Sequence, residues 1–249
     1  MSNIKDTIER LGKIVYDIQE AVRVGIKETS FAELILKSET LDKNQIAYDW
    51  DYGLSLRLDD DLFLPVENVS TTYRFDDISG ESTTNIAEKA YRAISKRLDE
   101  NFMKYTVTRI VDNNGLCTSR KSEDMLRGDF VDLYNLLDCV GVKPHTILIH
   151  NRIFNKVLKM YAKETNMPAE YNASVTGRNI VATIKDIPQL VDGSVYVFGA
   201  PEKLGRYFVS NPRVAFCITT HSIDIDIEVL TARKWGDADA VGKSYVLRK

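Results

Sequence analysis

Hydrophobic residues follow their longest regular pattern between residues 82 and 111. Apolar or small side chains recur there mostly four positions apart, which places them on one face of a helix: Ile86, Ala90, Ile94, Leu98, Phe102 and Tyr105. No Gly or Pro follows before Gly115, so the pattern predicts a helix roughly 45 Å long that begins at the capping residues 82–84. Residues 106–111 are mostly β-branched, which leaves open an earlier end and an extended segment.

A second amphipathic helix is predicted over residues 3–27. Its apolar positions alternate four and three apart and form a heptad seam: Ile4, Ile8, Leu11, Val15, Ile18 and Val22. Three heptads are marginal as an isolated coiled coil, so we expect this helix to dock on a surface of its own subunit or of another. Gly25 is the residue expected to end it.

Residues 31–80 show extended character and little helical pattern. Three leucines alternate with polar residues at strand period: Leu54, Leu56 and Leu58. Aspartates 59–61 interrupt this alternation and predict a hairpin that turns at or near them. Residues 68–75 are expected to form another extended segment. Because the segment is poor in core-forming residues, we expect it to be functional or bound by a partner. A solvated acidic surface hairpin is the alternative.

The remaining chain predicts alternating helices and strands. Helices are expected over residues 122–140, ended by Gly141, and from Asn151 onward, with a loop over 166–179. Strands are expected over residues 146–149, 179–184, 194–198, 206–209, 214–219, 223–229 and 244–247. The clearest of these strands, at residues 223–229, has three acidic side chains on one face: Asp224, Asp226 and Glu228. We expect this face either to be exposed or to face a basic partner.

Charge is unevenly distributed along the 249 residues, whose formal net charge is −3. Residues 31–80 hold 4 Lys and Arg against 11 Asp and Glu, whereas residues 81–249 hold 24 against 20. An acidic segment therefore precedes a mildly basic remainder, and no overall basic field points to nucleic acid. No apolar run approaches the ~20 residues of a membrane span, and the N-terminus lacks a leader pattern, so we expect neither a membrane protein nor secretion.

Chemical motifs are largely missing. His145, His150 and His221 stand in no metal-binding frame, and no nucleotide-binding loop or nucleophile elbow occurs. Aspartates 59–61 could gather Ca²⁺, but a solvated turn is the favoured interpretation. The three cysteines are expected to be reduced and buried: Cys117, Cys139 and Cys217. We therefore predict no catalytic, cofactor-binding or metal residues, and no enzyme.

The order of these elements resembles the tailed-phage major capsid fold, which encapsulin nanocompartments share. The resemblance also rests on the runs at residues 146–154, 195–201, 205–207, 223–229, 233–236 and 240–241. It implies an α+β fold with an N-terminal helical arm (1–30), an extended β tongue (31–80), a peripheral domain (81–115 and 210–249) that contains a long spine helix, and an α/β axial domain (116–209). No charged helical scaffolding region precedes the arm, so a separate scaffold or none is expected.

The resemblance implies a structural shell protein that binds copies of itself as hexamers and pentamers. The acidic tongue of one subunit would lie over the spine helix of its neighbour, and such head-to-tail contacts can close into rings. The shell would enclose double-stranded DNA without sequence-specific binding, in a virion assembled in the host cytoplasm, with scaffold, portal or decoration proteins as further partners. Deleting residues 50–66 should then leave a folded monomer that no longer assembles, and intact shells from that variant would contradict the contact.

Two alternatives remain open. One is an encapsulin-like shell around a cargo protein, which requires a surface near the arm for a cargo peptide. The other is a soluble α+β enzyme or binding module in which residues 31–80 form a lid. A function drawn from a fold is an analogy, so the contents of a purified particle would have to separate the first two interpretations.

Overall fold

The computed structural model describes residues 2–49, 53–58, 63–74, 83–112, 116–120, 135, 138–139, 141–154, 179–191, 194–218, 223–236 and 241–246. Its longer helices are α1 (Ser2–Thr29), α2 (Phe31–Leu36) and α3 (Thr83–Asp112). Its strands are β1 (Glu39–Thr40), β2 (Ile46–Asp49), β3 (Gly53–Arg57), β4 (Phe63–Arg74), β5 (Leu116–Arg120), β6 (Pro144–His150), β7 (Asn179–Thr183), β8 (Val195–Gly199), β9 (Gly205–Val209), β10 (Arg213–Ile218), β11 (Ile223–Trp235) and β12 (Val241–Val246). The predicted α+β class is confirmed.

The chain divides into two compact units. The first contains Met1–Leu98 and Tyr207–Lys234, and the second contains Asp99–Arg206 and Trp235–Lys249. Each unit has its own sheet. The sequence-based grouping placed all of residues 210–249 together, but β12 joins the sheet of the second unit because it pairs with β5 and β8.

Strand β11 organises the sheet of the first unit, whose order is β1-β9-β11-β4-β3-β2 with β10 also paired to β11. One edge of β11 is antiparallel to β4 from Asp224, opposite Arg74, to Ala232, opposite Val66. The other edge carries β10 and then β9, and the Ser210 N–H between them donates to the Leu230 carbonyl at 2.8 Å. Strands β9 and β10 therefore follow one another along the same edge of β11, and the turn between them does not make a hairpin.

Helices α1 and α3 pack against one face of this sheet. The shared core contains residues from both helices and from β11: Ile18, Val22, Ile26, Ile86, Ala90, Ile94, Ile225, Ile227 and Val229. The predicted N-terminal helix is confirmed, and its C-terminal half docks within its own subunit. The alternation predicted for residues 223–229 is confirmed as well, because Ile225, Ile227 and Val229 are buried in this core while the residues between them are not.

Gly25 does not end α1, which corrects the prediction. The helix continues to Thr29, and Ser30 then caps α2, a helix that the sequence pattern did not indicate. Gly25 is buried, and a Cβ on it would overlap the Tyr91 ring, with Cε1 only 2.8 Å away. One turn later the Thr29 and Ser95 hydroxyls are 2.7 Å apart. The glycine therefore permits close approach of α1 and α3.

The predicted long helix is confirmed as α3, which spans 30 residues. Its first five predicted stripe residues are fully buried, and Tyr105 is 36% exposed. The alternative of an early end is wrong, because residues 106–111 remain helical. Burial explains this: Phe102, Met103 and Thr106 have almost no exposed surface, and tertiary packing of this kind outweighs the weak preference of β-branched residues for strand.

The tongue is a three-stranded antiparallel sheet. Ile46 lies opposite Leu56 in β2–β3, and Leu56 lies opposite Leu64 in β3–β4, which confirms the predicted hairpin. Aspartates 59–61 are outside the described residues. The two extended pieces predicted after them are one strand, because β4 leaves the tongue and continues into the main sheet. The tongue is thus rooted in its own subunit.

Part of the partner surface that residues 31–80 were expected to need lies within their own subunit. Leucines of the tongue are buried with residues of β9 and β11 in a second cluster: Leu41, Leu56, Leu58, Leu64, Phe208 and Ala232. Deleting residues 50–66 would remove three of these leucines at roughly 1.5–3 kcal/mol each. We therefore withdraw the expectation that this deletion leaves a folded monomer.

The second unit contains the sheet β5-β12-β8-β6-β7. Strands predicted at residues 146–149, 179–184 and 194–198 are confirmed as β6, β7 and β8, and the last strand begins three residues earlier than predicted, at Val241. Aromatic rings pack beside the sheet, with the Phe102 centroid 5.6 Å from Phe198 and 6.5 Å from Trp235. These contacts make the second half of α3 part of this unit's core.

Two other predictions meet mixed results. Of the predicted helix over residues 122–140, residues 135 and 138–139 are described and helical, and Gly141 follows with φ 76° and donates to the Asp138 carbonyl. The predicted loop lies outside the described residues, apart from the start of β7. Cys139 and Cys217 are free thiols, as predicted, but the prediction that they are buried is wrong, because both are exposed. Cys217 lies opposite Asp224, on the polar face of the sheet.

Candidate assembly surface

The apolar face of the tongue extends beyond its buried core. Tyr48 on β2 and Leu54 on β3 lie directly opposite each other, and they are 72% and 43% exposed. Leu56 shares the face of Leu54 because it is two residues further along the strand, and it is fully buried. One end of this face is therefore covered by the subunit itself, and the other end presents two adjacent apolar side chains to solvent.

The tongue is acidic mainly through residues outside the described set, among them Asp51, aspartates 59–61 and aspartates 76–77. Of its described acids, Asp42 is exposed and accepts from the Asn44 N–H at 3.0 Å, which stabilises the turn before β2. Glu67 lies 3.8 Å from the Arg233 guanidinium at the base of the tongue. The described acids near the base of the tongue are thus engaged within the subunit, whereas most of the acidic residues of segment 31–80 lie outside the described residues.

The outward side of α3 carries the opposite charge. Four exposed cations follow one another over little more than two turns: Lys89, Arg92, Lys96 and Arg97. Arg92 donates to Glu88 at 2.6 Å, an exposed pair one turn apart, and Arg97 donates to the Ser70 carbonyl of β4. A cation-rich helix face of this kind complements an acidic segment, and such complementarity sets orientation and register more than affinity.

The acid stripe on β11 has partners within its own subunit. Arg213 donates to Glu228 at 3.1 Å, the Thr72 hydroxyl donates to Asp226 at 2.7 Å, and Arg74 lies opposite Asp224. Residues of the neighbouring strands therefore supply the positive charge and the hydroxyl donors that face the three acids, for which a basic partner was one of the two expected settings. No second chain is needed to stabilise this face.

A surface groove runs along the arm helix. Apolar or aromatic lining residues include Tyr16, Val24 and Tyr91, and the rim is acidic (Asp17, Glu20 and Glu28). Arg23 donates to Glu20 at 2.5 and 2.9 Å, and this hydrogen bond lowers the pKa of that carboxyl. Tyr16 is 65% exposed. The groove therefore suits a segment that carries both apolar and basic residues.

The residues considered for chemistry are dispersed. His145 is half-buried and shares a hydrogen bond with Thr146, His150 is buried at the end of β6, and His221 lies outside the described residues. Within the described part of the chain no group of three metal-binding side chains occurs. No helix there is long and apolar enough to cross a membrane.

Solved structures with a similar fold come from viruses and related particles. The chain matches a virus-like particle from Pyrococcus furiosus with a TM-score of 0.61 and 16% identity, covering 91% of this chain and 97% of that one. It matches a phage-related protein from Bordetella bronchiseptica with a TM-score of 0.62 and 8% identity over 92% and 95%. It matches the capsid structure of the cyanophage P-SCSP1u with a TM-score of 0.51 and 8% identity over 76% and 75%.

No family model and no curated protein matches the chain in sequence. At identities this low, structural likeness is evidence for the fold alone. The surfaces described above must therefore carry any argument about function.

Proposed function

The chain has the tailed-phage capsid fold, and on this premise we propose that it is the major capsid protein of a bacteriophage. Its copies assemble as hexamers and pentamers into an icosahedral shell that encloses double-stranded DNA. The role is structural, and the protein is not an enzyme. The observation that supports this best is the exposed apolar end of the tongue, which continues a face that the subunit only partly covers.

The proposed contact joins the tongue of one copy to the spine helix, α3, of the next. Tyr48 and Leu54 supply apolar surface, the acidic residues of segment 31–80 supply negative charge, and the cations from Lys89 to Arg97 supply the complement. Such a contact uses different surfaces on its two sides, and repeated around an axis it closes into a ring. The arm (1–30) and the base of the tongue stay with their own subunit.

The domain assignment follows from the same proposal. Residues 31–80 form the tongue, α3 together with strands β9, β10 and β11 forms the peripheral domain, and the sheet that contains β6 and β8 forms the axial domain. Strand β12 is assigned to the axial domain, because it pairs with β8. The shell protein belongs to the virion, assembles in the host cytoplasm, and uses separate scaffold, portal or decoration proteins.

Replacing Leu54 by lysine tests the tongue contact. The new ammonium would face a cation-rich surface and lose the apolar contact, so we expect no shells by negative-stain microscopy. Leu54 is 43% exposed, and a surface change of this kind alters the free energy of unfolding by only about 0.5 kcal/mol. Thermal unfolding should therefore match that of the unassembled wild-type protein.

Leu34→Lys is the matched control, because Leu34 is 50% exposed on α2 and lies outside the tongue sheet. This variant should still form shells. Intact shells from Leu54→Lys would contradict the tongue contact. A wild-type protein that stays a 28.3 kDa monomer under all conditions would instead favour an enzyme or binding module with residues 31–80 as a lid.

A second candidate function is a nanocompartment shell around a cargo protein, which the acid-rimmed groove on α1 favours. A cargo segment with apolar and basic residues would lie between Tyr16 and Val24 and face Asp17 and Glu28. Particles purified from the native source should be analysed for nuclease-protected DNA and for a second protein. Protected DNA supports the capsid, and an enclosed protein that is lost in Val24→Glu particles supports the nanocompartment.

A further inference from the structure

We propose that His150 is a proton-operated switch in the second unit. Uptake of one proton by its ring releases the main-chain N–H of Arg152 and draws the Asp186 carboxylate onto the ring. The device is a property of this unit by itself and does not depend on the proposed shell function.

His150 lies at the junction between a strand and a helix. It is the last residue of β6, opposite Thr183 at the end of the parallel strand β7, and residues 151–154 follow it as a helix. Its side chain is 4% exposed, whereas Asp186 and Arg152 are 71% and 78% exposed. A buried ring is thus bordered by two charged side chains that are free to move in solvent.

Hydrogen bonding at Nδ1 determines the neutral form of the ring. The Arg152 N–H donates to Nδ1 at 3.2 Å, so Nδ1 is an acceptor and the single ring proton is on Nε2. Nε2 is buried and has no hydrogen-bond partner among the described residues. The Asp186 Oδ1 lies 3.8 Å from it, too far for a hydrogen bond, and the Arg152 guanidinium lies 4.0 Å from the same oxygen.

Protonation reverses both contacts. A proton on Nδ1 turns that atom into a donor that faces the Arg152 N–H, so the hydrogen bond at the start of the helix is lost. The ring now carries a positive charge in a buried position, which is costly without a counter-charge. A movement of about 1 Å brings the Asp186 carboxylate within hydrogen-bond distance of Nε2–H. One proton therefore breaks one contact and makes another.

The switch operates below the pH at which a free histidine titrates. Burial lowers the pKa of His150, the Arg152 guanidinium lowers it further, and Asp186 acts in the opposite direction; these are the charged groups that face the ring among the described residues. In the unfolded chain a histidine has a pKa of about 6.5. The unfolded state therefore binds the proton first, and stability is lost as the pH falls below about 6.5 toward the folded pKa.

Deuterium exchange at the imidazole C2 carbon, followed by mass spectrometry of the full-length protein, reports the titration of His150 in any state of assembly. Asp186→Asn removes the counter-charge and should lower the midpoint, whereas Arg152→Gln removes the repulsion and should raise it. In the wild type, the Arg152 amide should exchange about fivefold faster below the His150 midpoint, after correction for intrinsic rates, because one hydrogen bond is lost.

His145, on the same strand, provides the internal control, and its exchange profile should be the same in all three proteins. An identical His150 midpoint in the wild type and both variants would overturn the proposal. So would an Arg152 amide whose exchange does not follow the His150 titration. Both variants change exposed side chains, so they should retain the fold.

Discussion

Replacing Lys185 by methionine is expected to destabilise the second unit by about 3–5 kcal/mol. The Lys185 ammonium forms an ion pair with Asp99 of α3, whose carboxylate is fully buried. Methionine keeps most of the side-chain volume but removes the positive charge, so the buried carboxylate loses this ion pair. Urea unfolding of the unassembled protein, followed by circular dichroism, should show a lower midpoint at unchanged slope.

The exposed pair on the same helix is the matched control. Arg92 and Glu88 are 66% and 44% exposed, and Arg92→Met should cost less than about 0.5 kcal/mol, because solvent screens such pairs. The double variant Asp99→Leu/Lys185→Met should recover most of the lost stability, since no buried charge remains. An equal cost for Lys185→Met and Arg92→Met would show that burial does not strengthen this ion pair.

Replacing Gly236 by alanine is expected to cost about 3 kcal/mol, near the upper end of the usual range for overpacking. A Cβ at this position would lie 2.8 Å from the Gly205 nitrogen and 2.9 Å from the Leu204 carbonyl carbon, and it would overlap the Lys203 carbonyl oxygen. All of these are backbone atoms. They cannot rotate away as a side chain can, so the segment would have to shift and lose the Gly236 N–H bond to the Leu204 carbonyl at 2.9 Å.

Gly12→Ala is the control for this variant. Gly12 is exposed within α1, and apart from its chain neighbours and the backbone of its own helix no atom lies within 4 Å of a Cβ built on it. Alanine there should stabilise the helix by about 0.5–1 kcal/mol. Differential scanning calorimetry should therefore show opposite shifts in Tm for the two variants. A Gly236→Ala protein as stable as the wild type would mean that residues 203–205 adapt at little cost.

Long periodic elements were predictable from the sequence. The stripe of α3 and the alternation in β11 each follow from many residues, so a single exception does not change the pattern. The hairpin of the tongue was predictable for the same reason. Short elements were not: α2 has six residues, fewer than two turns, and only the Ser30 cap and the burial of Phe31 and Ile35 in the fold make it a helix.

The candidate surface was predictable only in part. The composition of residues 31–80 indicates a segment that needs a partner, but it does not indicate that Leu56, Leu58 and Leu64 find that partner in their own subunit. Which leucines remain exposed depends on strand register and on residues 150 or more positions away. The pairing of Tyr48 with Leu54, and hence the exposed patch, could be found only once that register was known.

The sequence by itself determined the order and type of the long elements and the fold class, because local periodicity records which face of a helix or strand is apolar. Tertiary structure alone decided what each apolar face contacts, why Gly25 lies inside a helix, and which sheet contains β12. The physical reason is that burial and close packing depend on residues far apart in the chain. Periodicity reports that a side is buried, but it carries no information about what buries it.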